Sequence, residues 1–213
     1  SYAKGGVEVA GQMGFGSGDE SIKRDTSQGF FDPLKAKIPG ISQTLPPLHA
    51  GRISRLLVDL NRSEGNKGLF SEFSAGLGAP DRQALVDTYW RPFRDGVRNE
   101  IEEILRVRSS VLHLSMHSFT PVLNANIRHA DMGLLYDPKR VYELDLCRVW
   151  AERLRVCWPQ GRIRRNYPYR GWSDGHTTFL RTQFPDSVYI GIEVEMNQEL
   201  MPNAAARQYA LHA

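Results

Sequence analysis

Residues 111–136 read VLHLSMHSFTPVLNANIRHADMGLLY. The run at 111–114 is apolar enough for a buried strand. In strand alternation His113, Ser115 and His117 share one face, while Leu112, Leu114 and Met116 share the other. The strand breaks at Ser118, Phe119, Thr120 and Pro121. A histidine at the carboxyl end of a strand, followed by a loop, is a common position for a metal ligand or a catalytic base in an α/β protein. It is also a common position for a satisfied structural histidine. Two further stretches place polar residues at strand ends, 55–62 and 191–198, and they favour the functional reading.

Upstream, residues 53–60 (ISRLLVDL) are almost continuously apolar, as a central parallel strand is. Residues 61–63 close that strand, and 64–80 form a Gly-containing loop. Asp81 is placed to cap a helix. Along it Leu85, Tyr89, Phe93, Val97, Ile101 and Leu105 recur every fourth residue, and Pro92 is expected to kink or split it. Downstream, Asp137 and Pro138 suit a helix start. Its expected inward face is Tyr142, Leu146, Val149, Trp150 and Leu154, and its expected end lies at 158–161. A short strand at 162–166, a polar and aromatic loop at 167–175 and a short helix at 177–184 follow. The last strand, 188–196 (VYIGIEVEM), alternates strictly: Ile190, Ile192, Val194 and Met196 face one way, and Gly191, Glu193 and Glu195 the other. The tail from Gln198 is Ala-rich and predicted helical. Strands alternating with helices predict an α/β fold with a mostly parallel sheet. Residues 1–50 are crowded with Gly and Pro, lack periodicity and read as an irregular arm.

The 213 residues are enough for one domain with a real core. They are 41% hydrophobic and 24% charged, and the formal charge is +3. That charge is too small to suggest nucleic acid, and there is no dense basic run. Arginine greatly outnumbers lysine, which suits carboxylate recognition and equally reflects a GC-rich gene. Cys147 and Cys157 lie ten apart on one predicted helix, which argues against a mutual disulfide. No stretch is apolar for long enough to cross a membrane as a helix, and the start lacks a signal pattern. A cytoplasmic protein without membrane or nucleic-acid partners is expected.

Three groups of residues could carry chemistry. Arg55 and Asp59, with Asn61 and Arg62 at the expected strand exit, make either a carboxylate cradle or an ion pair bracing the sheet. Glu193 and Glu195 share one face of an apolar strand. Either that face is solvated or it looks into a polar site, where a carboxylate can serve as general base. Arg164, Asn166, Tyr169, Asp174 and His176 form either a substrate wall or an ordinary surface loop.

Four separated blocks carry a family resemblance: SRLLVDLNRS (54–63), HSFTPVLN with DMGLLYD (117–124 and 131–137), RRNYPYRGWSDG (164–175) and GIEVEMNQ (191–198). Together they resemble the N-formylglutamate amidohydrolase family, in the zinc-carboxypeptidase-like group that includes aspartoacylase and succinylglutamate desuccinylase. The resemblance spans roughly residues 53–198. It implies one amidohydrolase-like domain over residues 1–213, with helices on both faces of a mostly parallel sheet. The implied activity is metal-dependent cleavage of N-formylglutamate, or a similar N-acyl amino acid, to the free amino acid and a carboxylate. The implied metal is zinc or a similar divalent ion, with His117 as a ligand. Arg55 matches the residue that polarises the scissile carbonyl, and Asn61 and Arg62 match the pair that holds the substrate carboxylate. Glu195 matches the general base, with Glu193 as the alternative. Arg164 and Asn166 fall in a substrate-binding block without individual roles.

The chain departs from the group upstream. There the first two metal ligands come from a His-containing turn before the D-x-N-R block. This sequence has no H-x-x-E, and its only upstream histidine is His49, six residues before Arg55. The metal site therefore reads as incomplete and residues 1–50 as atypical. The alternative expectation is a vestigial or ligand-binding protein of the same fold. The sequence sets no oligomeric state.

Overall fold

The computed structural model describes the backbone of residues 7–14 and residues 47–200 in full. Its elements run β1 (Val7–Gly14), β2 (Leu48–Gly51), α1 (Ala79–Leu85), a π-helical turn (Val86–Trp90), α2 (Arg91–Val107) and β3 (Ser110–Phe119). There follow the hairpin strands β4 (Val122–Leu123) and β5 (Asn126–Ile127), then β6 (Met132–Leu135), α3 (Val141–Cys157), β7 (Ile163–Arg165), α4 (His176–Gln183) and β8 (Tyr189–Asn197). The main sheet has the order β2-β1-β3-β8-β6-β7. The first four of these strands are mutually parallel; β6 runs antiparallel to β8 and carries β7 parallel to itself.

The alternation in β3 and β8 is used on both sides. Leu112, Leu114, Ile192 and Val194 pack against Cys147, Ala151 and Leu154 of α3. On the opposite face Val111 and Tyr189 pack against Val97, Ile101 and Ile104 of α2 and Leu180 of α4. The sheet is mostly parallel with helices on both faces, as the sequence predicts.

Four local expectations are corrected. Residues 53–60 are not a strand but a series of turns. Their amides bond locally, Leu57 N–H to Ser54 O at 2.9 Å and Leu56 N–H to Ser54 Oγ at 3.2 Å, a side-chain alternative to a ladder. Their apolar residues join a small separate core, Val58 with Leu69 and Val86. An apolar run alone does not distinguish such a plug from a buried strand. Second, residues 7–14, expected to be irregular, form β1 between β2 and β3. Ladder bonding from two neighbours overrides the local glycine signal. The prolines at 33, 39 and 46 lie outside the described residues.

Third, α1 begins at Ala79 with Gly78 as its cap, so Asp81 sits inside the first turn. Pro92 interrupts no helix axis outright: the π turn precedes it and α2 begins around it. A π turn bonds one residue further along and so accommodates a missing N–H. It also rotates the buried face, so that Val86 is buried and Tyr89 is 42% exposed. Fourth, Asp137 and Pro138 form a turn before α3, with Asp137 Oδ1 accepting from Lys139 N–H at 3.0 Å. Tyr142 and Val149 of α3 are half exposed, while Glu143 is fully buried. Glu143 meets Arg181 at 3.0 Å and Arg140 at 3.1 Å, and this internal ion cluster sets the rotation of the helix. Beyond β8, Gln198–Leu200 is one 3-10 turn; the rest of the predicted helical tail lies outside the described residues. Among the described residues no helix is long and apolar enough to cross a membrane.

Candidate active site

In the parallel ladder of β3 and β8, Ser115 pairs with Glu193 and His117 with Glu195. Alternation puts all four side chains on the face that carries α2 and α4. Those helices cover the starts of the strands. Towards the carboxyl ends the face opens into a cleft of about 590 Å³, with His117, Glu193 and Glu195 in its lining. Ligands of open α/β sheets occupy this edge.

Both carboxylates are buried, Glu193 at 8% and Glu195 at 6% exposure, so the face is not solvated. An arginine partner is the ordinary compensation for a buried carboxylate, yet among the described residues neither forms an ion pair. Glu195 Oε2 has no hydrogen-bond partner. Burial, reinforced by Glu193, pushes its carboxyl up to about 8, against weaker pulls from Arg55, Arg128 and Arg62. His117 Nε2 lies 2.8 Å from Ser115 Oγ. Burial holds its imidazole below the ordinary value, against the pull of Glu193. A neutral imidazole is a donor of the kind a divalent cation takes. Among the described residues no group of three such side chains is placed to hold a metal. His117 supplies one such donor and does not complete a centre among the described residues. His49 stands elsewhere, 3.8 Å from Glu100 and against Gly96 of α2.

One wall is built from residues 53–62. Trp90 Nε1–H donates to Arg62 O at 2.8 Å, and Arg94 Nη1 donates to Leu60 O at 3.2 Å, fastening this segment to the helices. Arg55 lies 3.3 Å from Asp59, and Arg62 Nε lies 3.9 Å from the same carboxylate. Arg62 Nη1 also donates to Asp174 O at 2.7 Å. Asn61 Oδ1 accepts from His176 N–H at 2.7 Å, at the start of α4. A Cβ on Gly175, where these parts converge, would sit 3.1 Å from Glu193 Oε1 and 3.3 Å from Asn61 Oδ1, so one of these side chains would have to give by a few tenths of an ångström.

The opposite wall is the loop 166–175. Asn166, in the left-handed region at φ 49, accepts from Tyr136 N–H at 3.0 Å and Gly171 N–H at 3.1 Å through Oδ1. Arg164 stacks over Tyr167 at 4.1 Å. Arg55, Asn61, Arg62, His117, Glu193 and Glu195 thus line one cleft, whereas Arg164 and Asn166 shape the loop behind it. Tyr169 and Asp174 line the cleft as the loop reading anticipates. His176 instead is buried between Phe93 and Phe179. Phe93, Arg170 and Gln198 also line the cleft without having been singled out, although Gln198 closes the polar stretch 191–198. Arg170 had one signal, its place inside the polar, aromatic loop.

Comparison with known proteins agrees with this architecture. The family model for N-formylglutamate amidohydrolase matches residues 24–201. A solved gene product of Agrobacterium tumefaciens superposes with a TM-score of 0.68 at 23% identity, covering 98% of this chain and 87% of its own. An N-formylglutamate amidohydrolase from Ralstonia eutropha JMP134 superposes with a TM-score of 0.58 at 16% identity, covering 96% and 89%. No curated protein matches the chain.

Proposed function

Since the chain belongs to the N-formylglutamate amidohydrolase family, we propose that it hydrolyses the amide of N-formylglutamate, or of a similar N-acyl amino acid, with the help of a divalent metal, zinc or its like. The observation that carries this reading is the convergence of His117, Glu193 and Glu195 with Arg55, Asn61 and Arg62 around one cleft. His117 would hold the ion, which when bound polarises a carbonyl and acidifies a water.

The remaining roles belong to the chain. Glu195, buried and with one oxygen unpartnered, accepts the proton of the attacking water; Glu193 is the alternative base. Arg55, on the wall facing these carboxylates, donates to the oxygen that gains charge as the carbonyl is attacked. Asn61 uses its oxygen to cap α4 and keeps its amide N–H groups for the substrate carboxylate. Arg62 supplies charge beside it. Arg164 and Asn166 support substrate binding through the loop they hold.

The test is hydrolysis of N-formylglutamate by the purified chain with and without added zinc, alongside zinc content in wild type and His117→Ala. Formate release that depends on zinc, with metal lost in the variant, is expected. Equal metal content in both proteins removes His117 as a ligand. A second reading, a ligand-binding protein of this fold, is favoured by the absence of a three-donor group among the described residues. It is the outcome if the chain binds N-formylglutamate without cleaving it.

A further inference from the structure

Residues 53–62 wall the cleft without a sheet ladder to hold them, so their backbone groups find partners one by one. Near the end of the segment the amides are satisfied locally. Asn61 N–H donates to Asp59 Oδ1 and Arg62 N–H to Asp59 O, both at 3.0 Å. The carbonyls depend on the helix instead. Leu60 O and Arg62 O, on either side of Asn61, both accept from a single nitrogen, Arg94 Nη1, at 3.2 and 3.3 Å. Arg62 O takes a second bond from Trp90 Nε1–H at 2.8 Å.

We infer that Arg94, with Trp90, is a positioning residue for the proposed reaction: it sets where Asn61 and Arg62 present their side chains to the cleft. The inference rests on the amidohydrolase reading above, in which that pair holds the substrate carboxylate.

Arg94 is itself fixed in place. It is 5% exposed, and among the described residues it forms no ion pair. Its guanidinium lies over the Trp90 ring at 4.7 Å and the Phe179 ring at 5.2 Å. Trp90 and Arg94 stand one helical turn apart, so they meet the wall from one helix face. Phe179 belongs to α4, whose first N–H, that of His176, donates to Asn61 Oδ1 at 2.7 Å. The contacts close a circuit. Backbone on both sides of Asn61 leads to Arg94, Arg94 to Phe179, and α4 back to the Asn61 side chain. Burial brings the guanidinium down to about 10, against Asp174, Asp95 and Asp59, so it keeps its charge at neutral pH. Burying a cation without a carboxylate is costly. What offsets the cost here is a pair of charge-assisted bonds that bracket one substrate-binding residue.

The experiment measures kcat and KM for N-formylglutamate with the full chain. Wild type, Trp90→Phe and Arg94→Lys are compared, each also in an Arg62→Ala background. Trp90→Phe keeps a ring and removes one donor. Arg94→Lys keeps the charge and loses the planar contact with both rings. Each is expected to raise KM by about three- to tenfold, the net worth of one hydrogen bond. Each is expected to leave kcat within about twofold, as loss of uniform binding does. A merely structural role reads differently, because a smaller folded fraction lowers the apparent kcat and leaves KM alone. In the Arg62→Ala background the rise in KM is expected to shrink, since one of the side chains being placed is gone. An unchanged KM in Trp90→Phe overturns the inference, and so does a rise of equal size in both backgrounds. Trp90→Phe is the milder change and decides alone if Arg94→Lys does not fold. If wild type cleaves nothing, titration calorimetry with N-formylglutamate replaces the kinetics. Weaker binding in Trp90→Phe by the same factor sustains the positioning role while the hydrolase reading fails. Equal affinity, or no binding by wild type, overturns it.

Discussion

Glu193 and Glu195 occupy alternate positions of one strand, so they share a face yet stand about 7 Å apart along it. Only one can reach a given water at hydrogen-bond distance. Their surroundings differ. Glu193 Oε1 lies beside Gly175, where the capping Asn61 also converges. Glu195 pairs in register with His117 and has an unpartnered oxygen. Glu195→Gln preserves the shape and removes the basicity, and is expected to lower kcat by about 10²–10⁴. Glu193→Gln is expected to act mainly on stability, through the Gly175 junction. Steady-state kinetics paired with thermal melts of the two variants check this. If the effects are exchanged, the base is Glu193, and if neither variant lowers kcat, the hydrolytic mechanism is wrong.

Among the elements, β6 is the one that ties site to scaffold. Gly133 in β6 faces Glu195 across the antiparallel ladder. A Cβ at Gly133 would stand 2.0 Å from Tyr167 O and 3.4 Å from Glu195 Cβ. The first contact is with backbone, which cannot swing aside as a side-chain end can. Gly133→Ala is therefore expected to cost about 1–3 kcal/mol, the usual range for overpacking, and to lower activity by moving the loop that starts at Tyr167. Gly65→Ala, with nothing within 4 Å of the added carbon, is the control in the same urea titrations. The elements also show what the sequence could and could not reveal. β3 and β8 were legible because apolar residues at alternate positions bury against α3, while the polar alternates His117, Glu193 and Glu195 mark the other face. The segment 53–60 was not, because an apolar run carries no information about where its amides bond. The inward face of α3 was read only in part: Leu146, Trp150 and Leu154 pack inward, but Tyr142 and Val149 do not, because a buried Glu143, satisfied by Arg140 and Arg181, looks like a surface residue in sequence.

Across the molecule, two buried histidines lie beneath the sheet face that carries the cleft. His113 Nδ1 lies 2.8 Å from Tyr189 Oη. Burial, then the charge of Arg181, depresses its pKa to about 3. His176 has no hydrogen-bond partner on either ring nitrogen. Burial first, then Arg94, with His113, His49 and Arg98 after it, lowers its pKa well below the ordinary histidine value. Because both folded-state values lie below the unfolded value near 6.5, the stability these groups contribute is fully present above that pH. It is lost as pH falls from there towards the folded-state values, where the unfolded chain takes up protons that the folded chain refuses. Each histidine that stays neutral in the fold costs on the order of 1 kcal/mol per pH unit in that window. Acid should therefore unfold the protein earlier than carboxylate titration alone would. His176→Phe places a ring of similar size between Phe93 and Phe179 and removes two unsatisfied nitrogens. It is expected to raise stability at pH 7 by about 1 kcal/mol and to flatten the decline between pH 6.5 and 5. Urea unfolding of both proteins at pH 7 and pH 5 measures each effect. Parallel declines in the two proteins would mean that His176 takes up its proton in the folded state, and the acid-sensitive step would then belong to His113 alone.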